Sequence, residues 1–171
     1  MYEIQTRVGF STTDENLRLP LTGIINLLQD CATFHSQDTC YTSQWLKENH
    51  RAWFVTDWQV RLHKPINMGD NVTVRTYPYN ARGMLASRYF TITDWNETPF
   101  VTANSLWIYM DLDKMAPTRT PDEMFSTYGV SAPPTEVENI RPWWLFLNSF
   151  CRFTSSFRLN RSPQLAAYHG D

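Results

Sequence analysis

The sequence predicts an α+β protein in which an antiparallel sheet wraps around one long central helix. Between Leu21 and Gln37 the apolar residues recur at intervals of three and four, which is the spacing of a helix with one apolar face. From about residue 52 onward the pattern changes, and large apolar residues alternate with polar ones as in strands that bury one face. The apolar positions of the helix are Leu21, Ile24, Ile25, Leu28, Cys31 and Ala32.

Local signals place the other elements in order along the chain. Tyr2–Phe10 has the composition of a first strand, and the polar run Ser11–Leu19 is typical of a loop. Pro20 precedes the helix at a position where a missing N–H costs nothing. Thr42 or Ser43 is a suitable N-cap for a short helix that reaches Glu48. Further strands are predicted at Ala52–Lys64, Asn71–Tyr79, Met84–Trp95 and Phe100–Asp111.

The pattern ends near residue 121. Prolines are frequent from Pro117 to Pro134, and after them the aromatic residues follow neither a helical nor a strand period. The last lysine is Lys114. We therefore expect one domain at residues 1–121, a linker at 122–135, and a tail at 136–171 to which no structure is assigned.

Composition limits the possible functions. The chain has 171 residues, 42% of them hydrophobic, and a formal net charge of −2, which excludes a strongly basic nucleic-acid-binding protein. No apolar run is long enough to span a membrane, and the N-terminus predicts no signal peptide. The three cysteines lack the spacing of a zinc site and indicate reduced thiols in the cytoplasm. We expect no metal and no cofactor.

An ordered set of motifs over residues 1–121 resembles one protein family. The set begins with Leu28–Ala32 and His35-Ser36 on the helix and continues with Trp53 and with Pro65 ahead of Gly69-Asp70. It ends with Arg88, Asp94, Ser105–Trp107, Met110-Asp111, Arg119 and Pro121. The chain resembles the N-terminal hotdog half of the acyl-acyl carrier protein (acyl-ACP) thioesterases, and the hotdog fold is a sheet wrapped around one helix.

This resemblance implies an enzyme that hydrolyses the acyl thioester on acyl carrier protein and releases free fatty acid in fatty acid biosynthesis. The implied partner is acyl carrier protein carrying a phosphopantetheine-linked fatty acyl chain, and no nucleic acid or cofactor is implied. The family has two fused hotdog halves, with a catalytic Asp-x-Asn-x-His motif at the start of the second.

That motif is absent from this sequence. Two interpretations remain open: a fragment, or a coding frame lost near residues 130–140. Two other functions also remain open. One is a non-catalytic acyl-binding or dimerising hotdog module, and the other is a single-hotdog thioesterase or dehydratase that acts as a homodimer. Hotdog–hotdog pairing is expected in each case, with a copy or with a missing half.

The helix carries weak candidates for catalysis. Cys31 and His35 lie four residues apart and therefore share a helix face, so they are a possible thiolate–imidazole pair. Cys31 is equally explained as a small core residue. Asp30 is a candidate base toward water, and the alternative for Asp30 is a solvent-facing carboxylate. None of the three has the partners that would make a catalytic assignment firm.

A second set of residues is suited to an acyl chain, because an apolar chain needs an apolar slot. This substrate-binding set consists of Ile25, Leu28, Trp45, Trp53 and Trp107. The aromatic members, together with Trp58, are equally suited to filling the core. Arginines including Arg51 and Arg88 are candidates for contact with the acidic carrier protein, and a solvated sheet face explains them as well.

Overall fold

The computed structural model describes residues 1–134 and the backbone of residues 156–161. Its helices are α1, α2 and α3, and its strands are numbered β1 to β7 in chain order. The helices span Leu21–Gln37 (α1), Ser43–Glu48 (α2) and Asp122–Tyr128 (α3). The strands span Tyr2–Arg7 (β1), Arg51–Leu62 (β2), Asn71–Arg82 (β3), Leu85–Thr93 (β4), Pro99–Asp111 (β5), Ala116–Pro117 (β6) and Ser156–Arg161 (β7).

The strands form one sheet in the order β1-β3-β4-β5-β2-β7, and β6 pairs with β5. All pairs are antiparallel except β2 with β7, which is parallel. Bulges interrupt the register of β2 between Val55 and Asp57 and that of β3 between Pro78 and Asn80. Because a bulge adds local twist, these two positions help the sheet to curl around α1.

The core lies between α1 and the concave face of this sheet. Ile24, Leu28 and Ala32 are buried as expected, and Leu28 is 0% exposed. They pack against strand residues such as Val74 and Phe90. The predicted bounds of α1 are confirmed, and each predicted strand is present within a few residues of its expected ends. The α+β class, with one long helix held by an antiparallel sheet, is therefore confirmed.

The range 122–135, expected to be a linker, begins with α3. Met124 on this helix is 0% exposed and packs with Tyr109 and Tyr128 in a second core cluster. Pro121 has the fixed φ that suits a helix start, and Gly129 ends the helix in the left-handed region at φ 65°. A helix of seven residues between two helix-breaking residues is too short to show a period, which is why sequence patterns did not predict it.

The tail expected at 136–171 lies mostly outside the described residues. The exception is β7, whose backbone runs parallel to β2 from Asp57 to Leu62. Sequence patterns assigned no strand there. A parallel strand at this position extends the sheet beyond β2.

The packing of α1 generates a direct test. Leu28→Asp places an unpaired charge in the core, and we expect it to lower the free energy of unfolding by roughly 3 kcal/mol or more. Asn26→Asp is the matched control, because Asn26 is exposed on the same helix. Thermal melts followed by circular dichroism measure both variants. Equal melting temperatures for Leu28→Asp and the control would contradict this assignment of the core.

Candidate functional site

A cavity of about 530 Å³ opens between α1, α2, α3 and the inner face of the sheet. This volume lies within the range of small-molecule sites. One wall is apolar, and six different helices and strands contribute one side chain each to it. Its members are Ala32, Leu46, Trp53, Ala86, Trp107 and Phe125.

Another part of the cavity lining is polar. Ser36 from α1, Arg88 from β4 and Tyr128 from α3 contribute to it. The hydroxyls of Ser36 and Tyr128 lie 2.8 Å apart and share a hydrogen bond. An apolar wall next to a small polar cluster suits a ligand that has an apolar chain and one polar group.

Arg88 is the main charge in this polar part. The residue is 8% exposed, and its Nη1 donates to Nδ1 of His35 at 3.1 Å and to Oγ1 of Thr76 at 3.3 Å. Its guanidinium carbon lies 5.9 Å from the ring centroid of Tyr128. Within residues 1–134, no carboxylate forms a salt bridge with it. Burial lowers the pKa of Arg88 to about 10, so the guanidinium remains charged at neutral pH.

Arg88 therefore corrects one expectation. A solvated sheet face was expected for most of the arginines, but the structure buries Arg88 on the inner face. Arg88 pairs with Ser105 across β4 and β5, and Ser105 Oγ donates to its carbonyl. Trp107 Nε1 in turn donates to Ser105 Oγ at 2.6 Å. These bonds connect the apolar wall to the arginine.

His35 lies next to this guanidinium. Because Arg88 can only donate, Nδ1 of His35 accepts, and this geometry assigns the proton of the neutral ring to Nε2. Burial, reinforced by the positive charge of Arg88, lowers the pKa of His35 to about 4. The ring stacks on Tyr2 with centroids 5.0 Å apart and meets Tyr128 edge-on at 5.7 Å. His35 is therefore a neutral, packed residue at pH 7.

The structure does not bring the three helix candidates together at the cavity. Cys31 is 0% exposed, and its Sγ donates to the carbonyl of Val74 at 3.5 Å. Burial raises the pKa of this thiol to about 11, which opposes formation of the thiolate that a nucleophile needs. Asp30 is exposed on α1. Asp30, Cys31 and His35 are all absent from the cavity lining.

The substrate-binding set divides in two. Trp53 and Trp107 line the cavity. Leu28 and Ile25 pack in the core beneath α1, while Trp45 packs edge-on against Tyr41. Trp58 is buried against Phe90, with ring centroids 5.2 Å apart. Two of the five expected residues thus line the cavity.

A histidine–aspartate pair, His50 with Asp113, also lines the cavity, and no sequence pattern predicted it. His50 Nδ1 lies 2.5 Å from Asp113 Oδ1, and both residues line the cavity. Their side chains are 61% and 64% exposed, so the pair stands at the cavity mouth. An imidazole oriented by a carboxylate can accept and return a proton through its other nitrogen. Sixty-three positions separate the two residues, so no local motif could reveal the pair.

Among the described residues, no helix is long and apolar enough to cross a membrane. In the same part of the chain, no three His, Cys, Asp or Glu side chains are grouped to hold a metal ion.

The environment of His35 predicts a pH effect on stability. Its pKa in the folded protein, about 4, lies below the ordinary value of 6.5, so the unfolded chain takes up the proton first as the pH falls. The stabilisation is full above pH 6.5 and is lost as the pH falls toward 4. His35→Gln removes the titration and keeps an oxygen that can accept from Arg88.

We therefore expect the free energy of unfolding to fall more between pH 7 and pH 5 in the wild type than in His35→Gln. Urea unfolding at several pH values measures both. Parallel curves for the two proteins would mean that His35 is not held neutral by its surroundings.

Comparison with known proteins identifies the protein family to which the chain belongs. The model of the acyl-ACP thioesterase N-terminal domain matches residues 1–128. No curated protein sequence matches the chain. Solved structures with the same fold come from several bacteria, and at sequence identities of 21% or less they establish the fold and not the activity.

One structure, described as an oleoyl thioesterase from Lactobacillus plantarum, is 20% identical with a TM-score of 0.73. The match covers 83% of this chain and 56% of that one. An acyl-ACP thioesterase from Bacteroides thetaiotaomicron is 21% identical with a TM-score of 0.70, over 81% of this chain and 57% of that one. A 1,4-dihydroxy-2-naphthoyl-CoA thioesterase from Synechocystis is 11% identical with a TM-score of 0.68, over 74% of this chain and 94% of that one.

The chain thus spans little more than half the length of the first two structures and nearly all of the third. The sheet wrapped around α1 is the hotdog fold that the sequence predicted. The family model covers about three quarters of the chain and ends at Tyr128, the last residue of α3. The chain belongs to the acyl-ACP thioesterase N-terminal domain family.

Proposed function

We propose that this chain is the acyl-binding hotdog unit of an acyl-ACP thioesterase and holds the fatty acyl chain of the substrate in the cavity beside α1. The observation that carries the proposal is the apolar wall formed by Trp53, Trp107, Leu46 and Phe125 in a cavity of about 530 Å³. Each methylene buried there would contribute about 0.8 kcal/mol. A chain of eight or more carbons can therefore supply most of the binding free energy.

The cavity mouth fits the rest of such a substrate. Lys47 and Arg51 line it, and Lys47 is exposed. Arg51 is held by Asp111 at 3.2 Å. Positive side chains around an apolar opening would attract an acidic carrier protein and orient its phosphopantetheine arm. A role in fatty acid biosynthesis would place the protein in the cytoplasm.

Hydrolysis also needs a group that activates water. The Asp-x-Asn-x-His motif of the family is absent from this sequence, and Cys31 is a buried thiol. We therefore propose that the catalytic groups come from a second hotdog unit paired with this one. The chain alone would bind the acyl group without turning it over.

One observation favours a second candidate function, a single-hotdog thioesterase that works as a homodimer. His50 and Asp113 form a hydrogen-bonded pair at the mouth of the cavity. Such a pair can act as a general base toward water next to a bound thioester. The Synechocystis thioesterase, a neighbour of which this chain covers 94%, has the length of a single unit.

Filling the cavity tests the first proposal. Ala86 lines the cavity and pairs with Trp107 on the neighbouring strand, so Ala86→Phe adds a ring to the cavity wall. The ligand is S-dodecyl-pantetheine, a thioether that cannot be hydrolysed. We expect Ala86→Phe to bind it at least tenfold more weakly than the wild type does. Thr91→Phe is the control, because it adds the same ring to the same strand on the opposite face. Tryptophan fluorescence and calorimetry measure binding. Equal affinity in all three proteins would place the ligand outside this cavity.

A turnover assay decides between the two candidates. Incubation of the purified chain with dodecanoyl-ACP, with free thiol as the readout, should give no turnover under the first proposal. Under the second, turnover occurs and falls at least 100-fold in His50→Gln and Asp113→Asn. Turnover that both variants retain would contradict a role for the pair, and light scattering on the same sample reports the oligomeric state.

A further inference from the structure

Arg88 is a buried charge to which the apolar-chain proposal gives no role. A guanidinium that is 8% exposed loses most of its hydration, and a buried charge without a counterion is costly. Its hydrogen-bond partners within residues 1–134, the ring of His35 and the hydroxyl of Thr76, are both neutral. Neither compensates the charge.

The hydrogen bonds of the side chain to His35 and Thr76 both use Nη1. In the described part of the chain, Nε and Nη2 make no hydrogen bond, and neither is a fully enclosed atom without a partner. Arg88 lines the cavity, which places its guanidinium beside the space that a ligand could occupy. A guanidinium with two free donors matches the two oxygens of a carboxylate.

We propose that Arg88 is a carboxylate-binding residue and that the cavity takes an apolar carboxylic acid, with its carboxylate on Arg88 and its chain along the wall of Trp53 and Trp107. This inference rests on the acyl-binding role proposed above and names a specific ligand for it. Hydrolysis of an acyl thioester by water yields a carboxylate, a thiol and a proton, so the free fatty acid is the product of the proposed reaction. A neutral thioester carbonyl would not compensate the charge of Arg88, whereas the product would.

The surroundings of Arg88 favour an anion as the ligand. His35 is neutral and accepts from Arg88, so it orients the guanidinium without neutralising its charge. Ser36 and Tyr128 also line the cavity, and because one of their hydroxyls donates to the other, one hydroxyl proton is left for a second acceptor. Asp38, whose charge acts on His35, is exposed and accepts a hydrogen bond from the hydroxyl of Tyr2 at 2.7 Å.

The test compares two ligands with the same tail, dodecanoate and 1-dodecanol, at pH 8 by calorimetry. We expect the wild type to bind dodecanoate roughly 10- to 100-fold more tightly, as hydrogen bonds to charged groups allow. In Arg88→Met and Arg88→Gln the ratio of the two affinities should fall toward one, while Arg88→Lys keeps part of it. Because Met removes an uncompensated buried charge, the ligand-free Arg88→Met protein should melt at or above the wild-type temperature.

A spectroscopic readout separates this role from a structural one. Dodecanoate labelled with carbon-13 at C1 reports its own titration, and we expect a lower carboxyl pKa when it is bound to the wild type than when it is bound to Arg88→Gln. A wild-type affinity ratio near one, or a ratio unchanged in both neutral variants, would overturn the inference and leave the acyl-binding proposal intact. Binding of neither ligand would overturn both.

Discussion

The burial of α1 against the inner face of the sheet is the constraint on which the rest of the structure depends. Leu28 and Cys31 are fully buried beneath the helix and set its distance from β3 and β4. With α1 fixed, Ala32 and Ser36 from its C-terminal half line the cavity together with Arg88 of β4 and Trp107 of β5. A small residue at position 32 leaves the space that a ligand needs.

The same arrangement explains why the thiol of Cys31 and the imidazole of His35 are poorly suited to catalysis. Cys31 is desolvated and donates to a backbone carbonyl, and His35 is kept neutral by burial and by Arg88. The polar lining of the cavity includes the Arg88 guanidinium and, at the mouth, the His50–Asp113 pair. A guanidinium is suited to binding an anion, whereas the exposed pair is suited to exchanging protons with solvent.

Sequence patterns predicted the helix and the strands because burial of one face imposes a period on each of them. They placed Trp53 and Trp107, which line the cavity, among the substrate-binding candidates, but could not separate them from core residues such as Leu28, because both groups are large and apolar. Arg88 was not separable from the surface arginines, since a charged residue on a strand gives no sign of which face it occupies. The pairing of His50 with Asp113 depends on the contact between distant segments, and α3 was too short to carry a period.

The central claim is that an acyl chain occupies the cavity beside α1. Photo-crosslinking with a dodecanoyl ligand that carries a diazirine in its chain, followed by mass spectrometry, tests it most directly. The account predicts labels on the cavity wall, at Leu46, Trp53, Trp107 and Phe125. Labels concentrated instead on exposed apolar residues such as Phe10 and Trp95, with none on the wall, would contradict it.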